Sequence, residues 1–366
     1  MIQRRTQRGG CHPAPGTRRA FTLVVLLVVM MVISILASFV LFAVQSAQES
    51  AKQARTKALI AKIDAIVMQR YESYRTRRVP LDISKIDTNV NDNNEPEPME
   101  LAFARLQALR ELMKIELPDR WKDVTGSFST GNRTEPFLVD RTALSHGYQA
   151  AIAGSTGHRN FNRYQAAECL YLIVMSTPGA SEQFSESDRG DKDGDELYEF
   201  HDAWGNPISF IRWPAGFRSP RQPYHRNFRN LRDEDPWPLN GDRPQIRHDP
   251  QENHDPLDTR RFEEQAYALY PLIYSAGPDG EYDIIVKTVK EGENEADDNT
   301  YYPMERVSST PRRYAIDPYR PVQSSGGLTG SDGPYGFVGT PKDANDNDED
   351  EWHDNIHNHA LGTGVR

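Results

Sequence analysis

"RRAFTLVVLLVVMMVISILASFV" occupies residues 18–40. Two arginines stand directly before a small residue, and an uncharged stretch from Phe21 to Val44 comes next. As a helix that stretch reaches roughly 36 Å, at about 1.5 Å per residue. A bilayer core is about 30 Å thick, so the stretch can span it with some tilt. Its polar side chains are Thr22, Ser34 and Ser38. A cleaved secretory signal has an apolar region of about 7–15 residues ending at a small-residue site. This region is longer, and the residues after Val44 do not look like such a site. Arg4, Arg5, Arg8, Arg18 and Arg19 precede the span, which places the N-terminus in the cytoplasm.

The helical pattern continues past the span. No Gly or Pro occurs from Phe21 to Val79, and Pro80 is the first breaker. Ile60, Ile63, Val67, Tyr71 and Tyr74 recur along one helix face, with Lys57, Lys62, Asp64 and Gln69 elsewhere. The expectation is one helix over 21–79, roughly 87 Å long at the standard rise. Its first half is apolar all round and its second half amphipathic. A signal anchor with a stalk is one reading of it. A helix built to pack against copies of itself is the other.

The remainder is polar, with a mean hydropathy of -0.71 for the whole chain. Net charge is -10, and the leader alone carries +5, so residues 21–366 carry -15. A body that acidic does not wrap nucleic acid. The cysteines, Cys11 and Cys169, build no disulfide framework, and Cys169 in "AAECLYLIVM" reads as a buried small hydrophobe. After Pro80 comes a polar linker. Residues 99–116 form a second helix with Leu101, Leu106, Leu109, Leu112 and Met113 on its apolar face, and 161–176 a third. "LYEFHDAWGNPISFIRW" (197–213) and "YPLIYSAGPDGEYDIIV" (270–286) each read as two short strands around a turn. Between them, 214–262 is rich in Arg, Pro, Asn, Asp and His and reads as an insertion or long loop.

The N-terminal stretch resembles that of type IV prepilins and type II secretion pseudopilins. In that family a basic leader ends in a small residue, and a Phe-Thr-Leu start and a long apolar helix come after it. The resemblance implies cutting between Ala20 and Phe21 by a prepilin peptidase, with methylation of the new amine. Ala20 stands where the family usually has Gly. Val25 stands where it normally has the Glu that pairs with a neighbour's N-terminal amine. Some minor pseudopilins also lack that Glu. Asp202, Trp204, Gly205, Asn206 and Pro207, then Ser275, Gly277, Asp279 and Gly280, match two segments of the major pseudopilin. The likeness covers 18–76 and patches of 197–300. It implies an α+β fold, with a long N-terminal helix packed on a C-terminal domain of helices, long loops and a small antiparallel sheet. It further implies a single-pass protein of the bacterial inner membrane, its body (80–366) in the periplasm and its helix packing against other pseudopilin subunits. The function expected is structural. A signal-anchored periplasmic binding protein that never assembles and an anchored hydrolase are the alternatives.

Three stretches gather carboxylates. One has Asp188, Asp191, Asp193 and Asp195 around Gly194; one has Asp279, Asp283, Asp297 and Asp298; one has Asp343, Asn345, Asp346, Asn347, Asp348 and Asp350. Calcium takes six to eight oxygen ligands from flexible loops, which alternating Asp and Asn can supply. None has the full EF-hand spacing, and solvated, turn-forming acids are the competing reading. The resemblance implies calcium at the 279–298 loop, with the other two as alternative sites. His353 and His357 would share a helix face near His359; a transition-metal site and plain hydrogen bonding both fit them. There is no H-E-x-x-H, G-x-S-x-G or P-loop, and no catalytic residue is assigned.

Overall fold

The computed structural model describes residues 23–79, 81, 98–125, 129–130, 133–134, 139–153, 164–217, 219, 221, 253–263, 266–284, 286, 304–309, 312–316, 318–319, 338–339 and 354–361. The Ala20–Phe21 junction, Asp297, Asp298, Asp343, Asn345, Asn347, His353 and most of 214–262 lie outside them. The fold is mixed α+β, with a long N-terminal helix and a C-terminal part of helices and small antiparallel sheets. Contacts divide the chain into two units, Met1–Ala51 and Lys52–Arg366.

Helix α1 covers Leu23–Ser73. From Leu23 to Val44 its large apolar side chains are exposed, Phe42 to 72%. Ser34 and Ser38 donate their hydroxyls to the carbonyls of Met30 and Ser34, at 2.8 Å each, so both hydroxyl protons are satisfied within the helix. This one helix is long and apolar enough to cross a membrane. It stops short of the expected Val79. Ser73 Oγ bonds the Arg70 carbonyl, and Tyr74 and Arg75 close three-residue turns onto Tyr71 and Glu72. The approach to Pro80 also disfavours helical backbone.

The second unit begins within α1. Leu59, Ile60, Ile63, Val67, Tyr71 and Tyr74 are buried in its core, so 52–79 is part of the body and not a stalk outside a domain starting at Pro80. Helix α2, Pro98–Glu116, keeps to the expected bounds. It buries more than its apolar face. Arg110, 1% exposed, bonds both oxygens of Glu263 at 2.7 Å and the Ile316 carbonyl at 2.8 Å. Lys114 lies 3.4 Å from Asp123. Helices α3 (Trp121–Thr125), α4 (Ala143–Ile152) and α5 (Gln165–Met175) are the other α-helices among the described residues. Helix α4 starts at Thr142, whose hydroxyl accepts from the Ser145 amide.

Two short pairs, β1 (Ser129–Thr130) with β2 (Arg133–Thr134) and β7 (Met304–Ser309) with β8 (Arg312–Ile316), are local hairpins. Strand β3 (Arg189–Gly190) pairs with β4 (Glu199–Phe200). The main sheet is antiparallel, in the order β5 (Ser209–Ile211), β6 (Leu272–Ser275), β9 (Ile356–His357). This differs from the two hairpins expected. The 197–213 segment does close on itself, through a His201–Pro207 bridge and the Ile208 amide on the Phe200 carbonyl at 2.7 Å. In 270–286, however, the chain after the turn does not pair with β6, whose edges are taken by β5 and β9. The end of the supposed insertion is likewise integral. Asp258 accepts from the Phe262 and Glu263 amides at 3.0 and 2.9 Å, and buried Asp255 faces Arg110.

Candidate functional site

The Asp202–Pro207 and Ser275–Gly280 segments meet in space. Asp202 Oδ1 accepts the amides of Trp204 and Asn206, at 2.9 Å each, which shapes the turn. Ser275 Oγ donates to Asp202 Oδ2 at 2.6 Å and accepts the Gly277 amide at 3.1 Å. Asn206 Nδ2 returns a bond to the Gly277 carbonyl at 3.1 Å. Gly277 sits at φ +71°, and a Cβ there would lie 2.6 Å from the Asp354 carbonyl oxygen. Only glycine fits such a backbone approach without a shift. Helix α1 joins the corner, since Thr56 Oγ1 accepts the Ala203 amide at 3.0 Å. All of these polar groups are spent on one another, so the corner is structural.

The acidic clusters sort differently from their order in sequence. Asp188 leaves its group. Burial would raise its pKa, but bonds from Ser185 and Arg55 outweigh that and lower it. Asp191, Asp193 and Asp195 stay together, and two carboxylates not anticipated join them. Glu168 comes from the first turn of α5, and Glu199 opens β4. One oxygen each of Glu168, Asp193 and Asp195 lie within 4.8 Å of one another, and the same holds for Asp191, Asp193 and Glu199. Asp191 shapes the loop by accepting the amides of Gly194, Asp195 and Glu196 at 2.7–3.1 Å. Glu168 is 1% exposed and neither of its oxygens has a partner in normal hydrogen-bond geometry, the neighbouring Trp121 indole making at best a weak contact. Glu199 is fully buried; its Oε2 accepts the Lys192 amide at 3.2 Å, while its Oε1 has no partner.

Electrostatics reflect that crowding. Burial, then Asp195, Glu199 and Asp193, push the Glu168 carboxyl up to about 9, with the Trp121 indole acting weakly the other way. Burial is also the main cause that raises Asp195 to about 6, against the Leu197 amide and reinforced by Asp193. Both extra residues left traces in the sequence. Glu168 is the one charge in the apolar run 166–175, and Glu199 stands eight residues after Asp191 in Asp-x-Asp-Gly-Asp-x-x-x-Glu.

At the second cluster Asp279 and Asp283 come together as expected, and Asp354 joins them, again within 4.8 Å. Burial first and Asp279 second raise the Asp354 carboxyl. The histidines give a correction. His357 lies on β9, not on a helix, and His359 comes next in a 3-10 turn. Both rings pack edge-on against Phe217, with centroids 5.1 and 5.3 Å away. His359 Nε2 bonds the Pro271 carbonyl at 2.9 Å. Burial lowers His357 to about 4 and His359 to about 3, so both are neutral, His359 in the core and His357 partly exposed at its edge. Cys169 is buried as expected, and burial holds its thiol protonated.

A separate groove of about 690 Å³ has Leu101, Leu106 and Phe262 in its lining and Arg75, Arg78, Arg105 and Arg260 around it. Its chemistry suits anions, not cations. Comparison with family models, with characterised proteins and with solved structures finds no match to the chain.

Proposed function

We propose that the chain is a pseudopilin-like subunit of a type II secretion or type IV pilus-like fibre, with a structural role. The observation that carries this reading is helix α1. Its first part exposes an unbroken apolar surface from Leu23 to Val44, and its second part is built into a folded body. Exposed apolar surface on that scale belongs in lipid or against other helices. The joined corner formed by the Asp202–Pro207 and Ser275–Gly280 segments supports the same reading, because the family-like residues act as one unit. In this proposal the arginine-rich leader stays cytoplasmic, the peptidase cuts between Ala20 and Phe21, and the body lies in the periplasm. The calcium implied for the 279–298 loop has three clustered carboxylates available to it, Asp279, Asp283 and Asp354.

Mass spectrometry of the mature N-terminus tests the proposal. N-methyl-Phe at residue 21 is the expected result, and native protein that still begins at Met1 removes its main support. Val25, in place of the family's Glu, favours a second reading: a membrane-anchored binding protein that does not assemble. Crosslinking in membranes separates the two, since cysteines placed along Leu23–Val44 should link copies or sister subunits only in a fibre.

A further inference from the structure

We propose that Glu168, Asp193 and Asp195, together with Asp191 and Glu199, hold a hard divalent cation of the calcium type that ties helix α5 to the β3–β4 hairpin. The inference does not depend on the fibre reading, and the site is distinct from Asp279, Asp283 and Asp354.

A row of acidic residues in a loop would not suffice, because loop acids are ordinarily solvated. What sets this cluster apart is Glu168. It comes from another element, reaches the loop acids from the protein side, and is 1% exposed with two unpartnered oxygens. An unpaired buried carboxylate costs several kcal/mol, and such groups are usually paired or bound to metal. The fully buried Glu199 repeats the arrangement through Oε1. Two acids from different elements thus point at the same small volume as the loop acids, with Asp193 shared between both triads.

The donor set selects the ion. All the clustered donors are carboxylate oxygens, and neither sulfur nor imidazole belongs to either triad. Oxygen-only sets favour calcium, magnesium or manganese over zinc or copper. Three loop carboxylates around Gly194, which sits at φ +79°, together with Glu168 from α5 and Glu199 from β4, offer the many-ligand, irregular shell that calcium accepts. Magnesium demands a small octahedral shell and retains its waters. Neutralising the cluster would remove repulsion between α5 and the loop. It would also order 191–198, which carries Tyr198 onto Tyr171 of α5 with ring centroids 5.8 Å apart.

The test uses the full chain in detergent micelles, stripped with EDTA. Calcium should raise the melting temperature clearly, and magnesium much less. Terbium should give emission sensitised by Trp121, the indole beside Glu168, and calcium should quench it by competition. Asp193→Asn should abolish the Trp121-sensitised emission and remove most of the calcium-induced rise in a protein that also carries Asp279→Ala and Asp283→Ala. Glu168→Gln, which keeps the shape, should weaken calcium at least tenfold while raising the melting temperature of the metal-free protein. Asp279→Ala with Asp283→Ala should leave the terbium signal in place. Circular dichroism in EDTA verifies that each variant is folded; should Asp193→Asn not fold, Glu168→Gln decides alone. The proposal is overturned if folded wild-type protein shows no calcium response, or if the response and the Trp121-sensitised emission survive unchanged in Glu168→Gln.

Discussion

Cutting the chain at Pro80, where the first helix breaker stands, should destroy the body, whereas cutting at Lys52 should preserve it. The two fragments differ by residues 52–79. That segment places Leu59, Ile60, Ile63, Val67, Tyr71 and Tyr74 in the core, each at most 4% exposed. Burying one such side chain is worth about 1.5–3 kcal/mol. The six together represent roughly 9–18 kcal/mol, against a total stability of about 5–15 kcal/mol for a typical domain. Polar losses add to this. Glu116, 2% exposed, takes bonds from Tyr74 Oη at 2.8 Å and from Arg77, all removed by the cut. Leu269 loses the Tyr71 hydroxyl from its carbonyl, and Tyr148 Oη loses Arg70. Arg221 and Asn358 lose Asp64, which they bond at 2.7 and 2.6 Å. The assay is urea unfolding monitored by circular dichroism and tryptophan fluorescence on fragments 52–366 and 80–366. The longer should unfold cooperatively, and the shorter should show no transition. Within the longer one, Ile63→Asp should remove most of the stability. A cooperative transition of 80–366 at a midpoint near that of 52–366 would refute the reasoning.

Gly277→Ala should cost about 2 kcal/mol or more, because it combines a positive φ with a clash against the Asp354 backbone; a thermal melt within a degree of wild type would contradict the close approach. The contribution of His357 and His359 to the stability of the 52–366 body should fall as pH drops from 6.5 toward 4, while Asp195 and Glu168, raised to about 6 and about 9, act in the opposite direction. Burial lowers His357 and His359 to about 4 and about 3, so through this window the unfolded chain takes up protons that the folded one refuses. Each histidine should account for roughly 2–3 kcal/mol by pH 4, and His359→Gln should flatten the acid limb of a stability–pH curve. Replacing Ala20 by a bulky residue should leave an unprocessed membrane precursor, read as a mass difference on intact protein.

Much of the helical layout was legible because helices are local. The 3.6-residue pattern of α2 and the apolar run of α5 needed no information from elsewhere in the chain. Helix α4 was missed since it is short and carries Gly147, though its Thr142 cap was there to be read. Strand positions could be placed, but not their pairing. β6 binds strands some 60 and 80 residues away in sequence, and no local pattern encodes such partners. Charge was the least legible property. Arg110 and Arg212 look like surface residues in sequence, yet both are buried. Arg212 bonds the Leu117 carbonyl at 2.6 Å and Asp123 at 2.9 Å, with its guanidinium 4.4 Å from the centre of the Trp213 ring. Glu168 escaped for the same reason, because its meaning depends on a loop more than 20 residues further along.

The polar links of α1 give the amphipathic half of the helix a fixed register in the body. Arg55 holds the Ser187 carbonyl and Asp188, and Thr56 holds the Ala203 amide. Asp64 meets Arg221 and Asn358, Arg70 meets Tyr148, and Tyr74 meets Glu116. Apolar contacts alone tolerate sliding and rotation, since they have no direction. Hydrogen bonds do not, because a buried donor or acceptor that loses its partner costs about 1–3 kcal/mol. Spread from Arg55 to Tyr74, these bonds make any one-turn slip break several partners together. In a fibre subunit, as proposed above, such a junction would hold the body in one position on its membrane helix. An anchored binding protein has no need of one, since a flexible stalk would serve it as well. Variants that keep the apolar core but remove the links, such as Thr56→Val with Asp64→Ala, probe the contribution of these bonds apart from the core.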